Sequence, residues 1–111
     1  MTYLSMTVGH CGDYSVVSLE GELDLASRQQ FCQALDHMLT RPSPKIILDA
    51  AELRFCDSHG LWALITRQRD AEARGGCLRL IGVHGPLARL LTVTQLVDLF
   101  PPYADLDHAA T

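Results

Sequence analysis

The sequence predicts an α/β fold of order β-β-α-β-α-β-α-β, built on a mostly parallel sheet of about five strands. Three observations carry this. Short alternating or wholly apolar runs take turns with stretches whose apolar residues recur three and four apart. Glycine and proline stand at the boundaries between them. Strands separated by helices are joined by crossovers, the connection that parallel strands require. The 111 residues suit a single domain, with a core over about 3–103 and a small, polar tail, 104–111, expected to fray.

The elements follow in order. Leu4, Met6 and Val8 alternate with polar residues, the pattern of a strand with one buried face. "HCGD" supplies a turn, and "YSVVSLEG", rich in β-branched residues, completes a hairpin. Asp24 is placed to cap the next element, a helix marked by Phe31, Ala34, Leu35, Met38 and Leu39 that must stop before "RPSP" because prolines cannot continue it. "KIILDA" is continuously apolar, as in a strand covered on both faces. "AELRFCD" crosses from it into a second helix starting near Ser58, with Leu61, Leu64 and Ile65 inward and "RQRDAEAR" outward. Gly75-Gly76 ends that helix. "CLRLIG" is the next strand. Pro86 suits the first turn of a short helix carrying Leu87, Leu90 and Leu91, and "LVDLFPPY" reads as a short last strand.

Composition narrows the function classes. A net charge of −4 argues against a nucleic-acid face, which needs a basic patch. No apolar run reaches the roughly 18–20 residues that span a bilayer, and the first ten residues lack the basic flank and apolar centre of a signal peptide. No membrane association is expected, and a cytoplasmic location is. Cys11, Cys32, Cys56 and Cys77, like the five histidines, have no metal-ligand spacing. Free thiols are expected, with no metal and no cofactor.

The chemistry concentrates in "LRFCDSHGLW", residues 53–62. Asp57, Ser58 and His59 are the ingredients of a serine hydrolase, but in adjacent positions. Helix neighbours point about 100° apart, whereas a triad needs each group to hydrogen-bond the next, and no G-x-S-x-G elbow is present. No enzymatic activity is expected. Two readings remain for Ser58. It is a helix N-cap, a preferred place for serine, with Gly60 easing the entry. It is also a modification site, because a helix N-terminus has free amides and tolerates a phosphate. Trp62, one turn further on, is either a half-buried residue beside the stripe or an interface anchor.

On these residues the chain resembles the STAS domain proteins, in particular the bacterial anti-sigma factor antagonists. "GELD" (residues 21–24), "FCDSHG" (55–60), "GG" at 75–76 and "LARLLTVTQL" carry the likeness, which covers nearly the whole chain. The resemblance implies a small mixed sheet with helices mainly on one face. It also implies a switch in place of a catalyst. The unphosphorylated form binds an anti-sigma factor that is also a serine kinase, and so releases a sigma factor. Phosphorylation at Ser58 ends the binding, and a phosphatase restores it. The same likeness makes Asp57 shape the acceptor turn and puts Asp24 on the surface facing the partner. Partner contact is expected at Asp24, Asp57, Ser58, His59, Gly60 and Trp62, with Trp62 as an interface anchor. Two positions depart from the family pattern: His59 stands where a second hydroxyl residue is usual, and Trp62 where a small one is. The alternatives are a His59 phosphocarrier, a receiver-like domain phosphorylated on Asp57 or Asp49, for which the acids are poorly grouped, and a STAS module governed by thiol redox through Cys56.

Overall fold

In the computed structural model, which describes residues 3–111, a hairpin of β1 (Leu4–Cys11) and β2 (Tyr14–Leu23) leads into α1 (Arg28–Leu39) and β3 (Lys45–Cys56). Then come α2 (Ser58–Ala73), β4 (Cys77–Ile81), α3 (Gly85–Val93) and a single turn, α4 (Leu106–Ala109). The sheet has four strands in the order β1-β2-β3-β4. β1 runs antiparallel to β2, while β2, β3 and β4 are mutually parallel, so α1 and α2 are the crossovers. The mixed α/β architecture expected from the sequence is present.

β3 organises the interior because its residues alternate between two apolar surfaces. Ile46 and Leu48 face Phe31, Leu35 and Leu39 of α1, Leu61 and Leu64 of α2, and Leu87 and Leu91 of α3. Each such buried side chain contributes roughly 1.5–3 kcal/mol. Ile47 faces the other way and packs with Tyr14, Ile81 and Ala109. The apolar run "KIILDA" is therefore covered on both sides, by three helices on one and the chain's end on the other.

Several expectations are corrected. The last strand is absent: residues 94–102 form turns and irregular chain, and only Tyr103 makes a parallel bridge, to Ile81. Gln95 has φ +60°, which breaks an extended run, and Pro101 and Pro102 lack the amide hydrogens a ladder needs. The tail is docked: Asp105 caps α4 by accepting from the His108 amide, and Ala109 is fully buried. Arg79 of β4 secures it. Its guanidinium lies 5.6 Å from the Tyr14 ring centroid and 5.3 Å from that of Tyr103. Nη1 donates to the Tyr14 hydroxyl at 3.0 Å, to the Ala109 carbonyl, and to Thr111 O at 2.9 Å. In β1 the buried alternation holds only at its start, since Leu4 is buried, Met6 half-buried and Val8 exposed. β3 also runs on to Cys56, because Leu53 and Cys56 are buried.

Candidate functional site

The carboxyl ends of β2 and β3 bring the "GELD" and "FCDSHG" loops side by side. Gly21 has φ +113°, and a Cβ there would lie 2.0 Å from the Tyr3 carbonyl oxygen, so only glycine lets the chain pass. Beyond it Asp24 organises a tight turn. Its Oδ1 accepts from the amides of Ala26 at 3.0 Å and Ser27 at 3.1 Å. Asp24 thus holds the turn before α1, and Ser27 is the residue at the cap position itself. Ser27, buried and absent from the sequence reading, closes the loop by donating to the Glu22 carbonyl at 2.8 Å.

The second loop is locked to the first through Asp57. Its amide donates to the Leu23 carbonyl at 3.3 Å. Its Oδ1 accepts from Gly60 N at 2.9 Å and its Oδ2 from Leu25 N at 3.4 Å. One carboxylate therefore caps α2 and ties down a segment 32 residues earlier. Gly60 is buried, and a Cβ on it would sit 2.2 Å from the Leu23 carbonyl oxygen. Its part is to let α2 approach β2; it is not open to a partner.

The N-cap of α2 is Asp57, with extended backbone (φ −103°, ψ −174°), and Ser58 is the first helical residue. This corrects the capping reading of Ser58. Asp57 wins the position because its carboxylate can serve two amides at once, which a serine hydroxyl does less well. Ser58 is left exposed, and no described residue hydrogen-bonds its hydroxyl. The Ser58 and His59 amides have no intrahelical acceptor. His59 Nδ1 lies 3.6 Å from Asp57 Oδ2, an ion-pair distance when the ring is protonated and too long for a hydrogen bond. Ser58 joins no hydrogen-bonded relay with its two neighbours.

Around Ser58 the surface is unusually apolar. Trp62 is 56% exposed and Leu25 54%, and Phe55 also faces outward. Trp62 is thus an open side chain on the Ser58 face of α2, not a half-buried one. Two shallow depressions flank the loop. One, of about 350 Å³, lies between α1 and α2 and includes His59, Trp62 and Arg28. The other, of about 250 Å³, lies between Phe55 and the Arg89–Val93 face of α3. Leu25 and Phe55 were missed in the sequence. Leu25 carried a readable signal, a large apolar residue inside a turn, while Phe55 sits in a strand whose inward positions are set by the fold.

Cys56 is buried beneath this surface. Burial, with the Asp57 and Asp24 charges adding to it, pushes its thiol up to about 12, so it stays protonated and a poor nucleophile. That weighs against redox sensing at this position. Among the described residues no group of three or more His, Cys, Asp or Glu side chains is placed to hold a metal ion.

Comparison with known proteins agrees with this architecture. The family model "Mlab, STAS domain" matches residues 6–101. The chain is 28% identical over 109 residues to an anti-sigma F factor antagonist of Paenibacillus polymyxa, covering 97% of this chain and 93% of that protein. The crystal structure of an anti-sigma factor antagonist from Mycobacterium paratuberculosis superposes with a TM-score of 0.83 at 27% identity, over 97% of this chain and 92% of the other. RsbS of Moorella thermoacetica, in a serine-to-glutamate variant, superposes with a TM-score of 0.76 at 27% identity, over 95% and 91%. A match along most of its length, on a sheet and helix order shared with these structures, means that the chain belongs to the STAS domain family.

Proposed function

We propose that this protein is an anti-sigma factor antagonist that works by reversible docking, and that phosphorylation of Ser58 switches the docking off. The observation that carries the reading is the Ser58 hydroxyl itself. It is exposed at the first turn of α2, has no hydrogen-bond partner among the described residues, and lies one helical turn before the open side chain of Trp62. The names of the Paenibacillus and Mycobacterium relatives support the partner class.

The switch follows from local physics. In the neutral state the loop offers apolar contact area, with Asp57 already satisfied by two amides. A serine kinase, the anti-sigma factor itself, transfers the γ-phosphoryl group of ATP to Ser58 Oγ; the serine proton leaves and ADP is released. The product adds about −1.5 to −2 charge. The fold tolerates it, because the free amides and the dipole of α2 favour an anion there. The docked partner does not, since the phosphate must be desolvated beside Asp57 and Asp24. A phosphatase hydrolyses the ester and restores binding. The protein contributes no catalytic group. No helix among the described residues is long and apolar enough to cross a membrane, and a cytoplasmic setting fits the partners.

The test is affinity capture with wild-type, Ser58→Ala and Ser58→Glu baits, with the phosphosite mapped by mass spectrometry. Wild type and Ser58→Ala are expected to retain an anti-sigma factor with serine-kinase activity. Ser58→Glu should lose it, and acid-stable phosphate should appear on Ser58 alone. Equal capture by Ser58→Glu would sink the switch, and acid-labile phosphate on His59 would favour a phosphocarrier.

A further inference from the structure

We infer that the groove between α1 and α2, beside Ser58, is the seat of an acidic segment of the partner that places an apolar side chain on Trp62. The inference rests on the antagonist reading for the partner's identity and on the groove's own chemistry for the rest.

The chain as a whole is acidic, at net charge −4, yet no carboxylate lines this depression. Its walls carry Arg28 from α1 and Arg67, His59 and Trp62 from α2. Arg67 is neutralised by an ion pair with Asp36. Arg28 forms no ion pair with any carboxylate among the described residues. Arg28 also opens α1, where the helix dipole disfavours a cation. A cation held there without a carboxylate partner is poised for an anion from outside. Trp62, exposed by more than half, supplies area of the kind that anchors interfaces. At about 350 Å³ the groove admits one or two side chains. A phosphate on Ser58, next in the chain to the lining residue His59, would repel the same acidic segment. The switch and the selectivity would then share one charge logic.

The test installs a photo-cross-linking residue at Gln29 or Thr66, both on the groove wall, in the Ser58→Ala protein. Cross-linked peptides from native lysate are identified by mass spectrometry. The expected product is a peptide of net negative charge from the protein that wild type captures. Arg28→Glu should weaken that capture by about ten-fold and flatten its salt dependence. Trp62→Ala should weaken it by about thirty-fold. Circular dichroism confirms that both variants, altered only at exposed positions, remain folded. A basic peptide, a second copy of this chain, a nucleic acid, or no cross-link while a Ser58-sensitive partner is still captured would each overturn the groove. An acidic cross-linked peptide whose capture ignores Ser58→Glu would keep the groove and sink the switch.

Discussion

Asp57 and Arg79 each join parts of the chain far apart in sequence, and they do so to opposite effect. Asp57 spends both oxygens on backbone amides, Gly60 and Leu25, and the side chains beside it are left open. Arg79 lies between two aromatic rings and donates to a phenol and two main-chain oxygens at the end of the chain, which closes a surface. The difference lies in what the charge holds. An anchor whose hydrogen bonds all go to backbone shapes a loop and leaves its surface for others. An anchor that gathers rings and a terminal turn seals an apolar patch formed by Ile47 and Ile81.

The clamp between the two loops depends most on Gly60. Gly60→Ala sets a Cβ against the Leu23 carbonyl oxygen, a backbone atom that cannot step aside. We expect a loss of about 3 kcal/mol, read as a lower urea midpoint with an unchanged slope; a loss under about 0.5 kcal/mol, typical of a neutral surface change, would mean that the two loops are not clamped. Arg79→Met comes next. It removes donors to the Tyr14 hydroxyl and the part-buried Ala109 carbonyl, for about 2 kcal/mol, and should speed amide exchange over 105–110 while Ser58 is phosphorylated at the normal rate. Equal slowing of phosphorylation would show that the sealed surface and the open loop are one unit. Asp57→Ala removes a cap, for about 1 kcal/mol, and should blunt phosphorylation at Ser58 out of proportion to that loss.

The smallest effect is a pH dependence at α4. The hydrogen bond and charge of Asp105 raise His108 above its ordinary 6.5, and the hydrogen bonds from His108 lower Asp105 below its ordinary 3.8. The histidine's contribution is full below 6.5 and is lost as pH rises through the raised folded value. The aspartate's is full above 3.8 and is lost as pH falls through the lowered one. The turn is therefore held best between 3.8 and 6.5. Exchange at Ala109, corrected for intrinsic rates, should be faster at about pH 8 than at about pH 6, and His108→Gln should remove the difference.

Periodicity sufficed for α1, α2, α3 and the first four strands, because Phe31, Leu35 and Leu39, or Leu61, Leu64 and Ile65, leave a stripe that only one geometry buries. It failed where the deciding partner is distant. "LVDLFPPY" is as apolar as a strand, but prolines and the turn at Gln95 leave one bridge. The tail looked loose because its composition is small and polar. Asp105 followed by Leu106 and Ala109 is nonetheless a cap and an inward face, a readable signal once a surface exists to receive it. In the site, the sequence placed Ser58 at the start of α2, while the choice of Asp57 as cap depended on Leu25 N lying within its reach. The α1–α2 groove, with Arg28 and His59 31 positions apart in sequence, exists only after folding.

The bridge between Tyr103 and Ile81 also governs how copies of the chain could meet. A sheet offers two rims to a stranger's backbone, and an unguarded rim invites strand pairing and aggregation. Here the β4 rim is obstructed by Tyr103 and by two prolines with no hydrogen to give. On β1 the Val8 side chain is exposed, whereas strand pairing is hindered at the carboxyl end of β4, where Ile81 is already bridged.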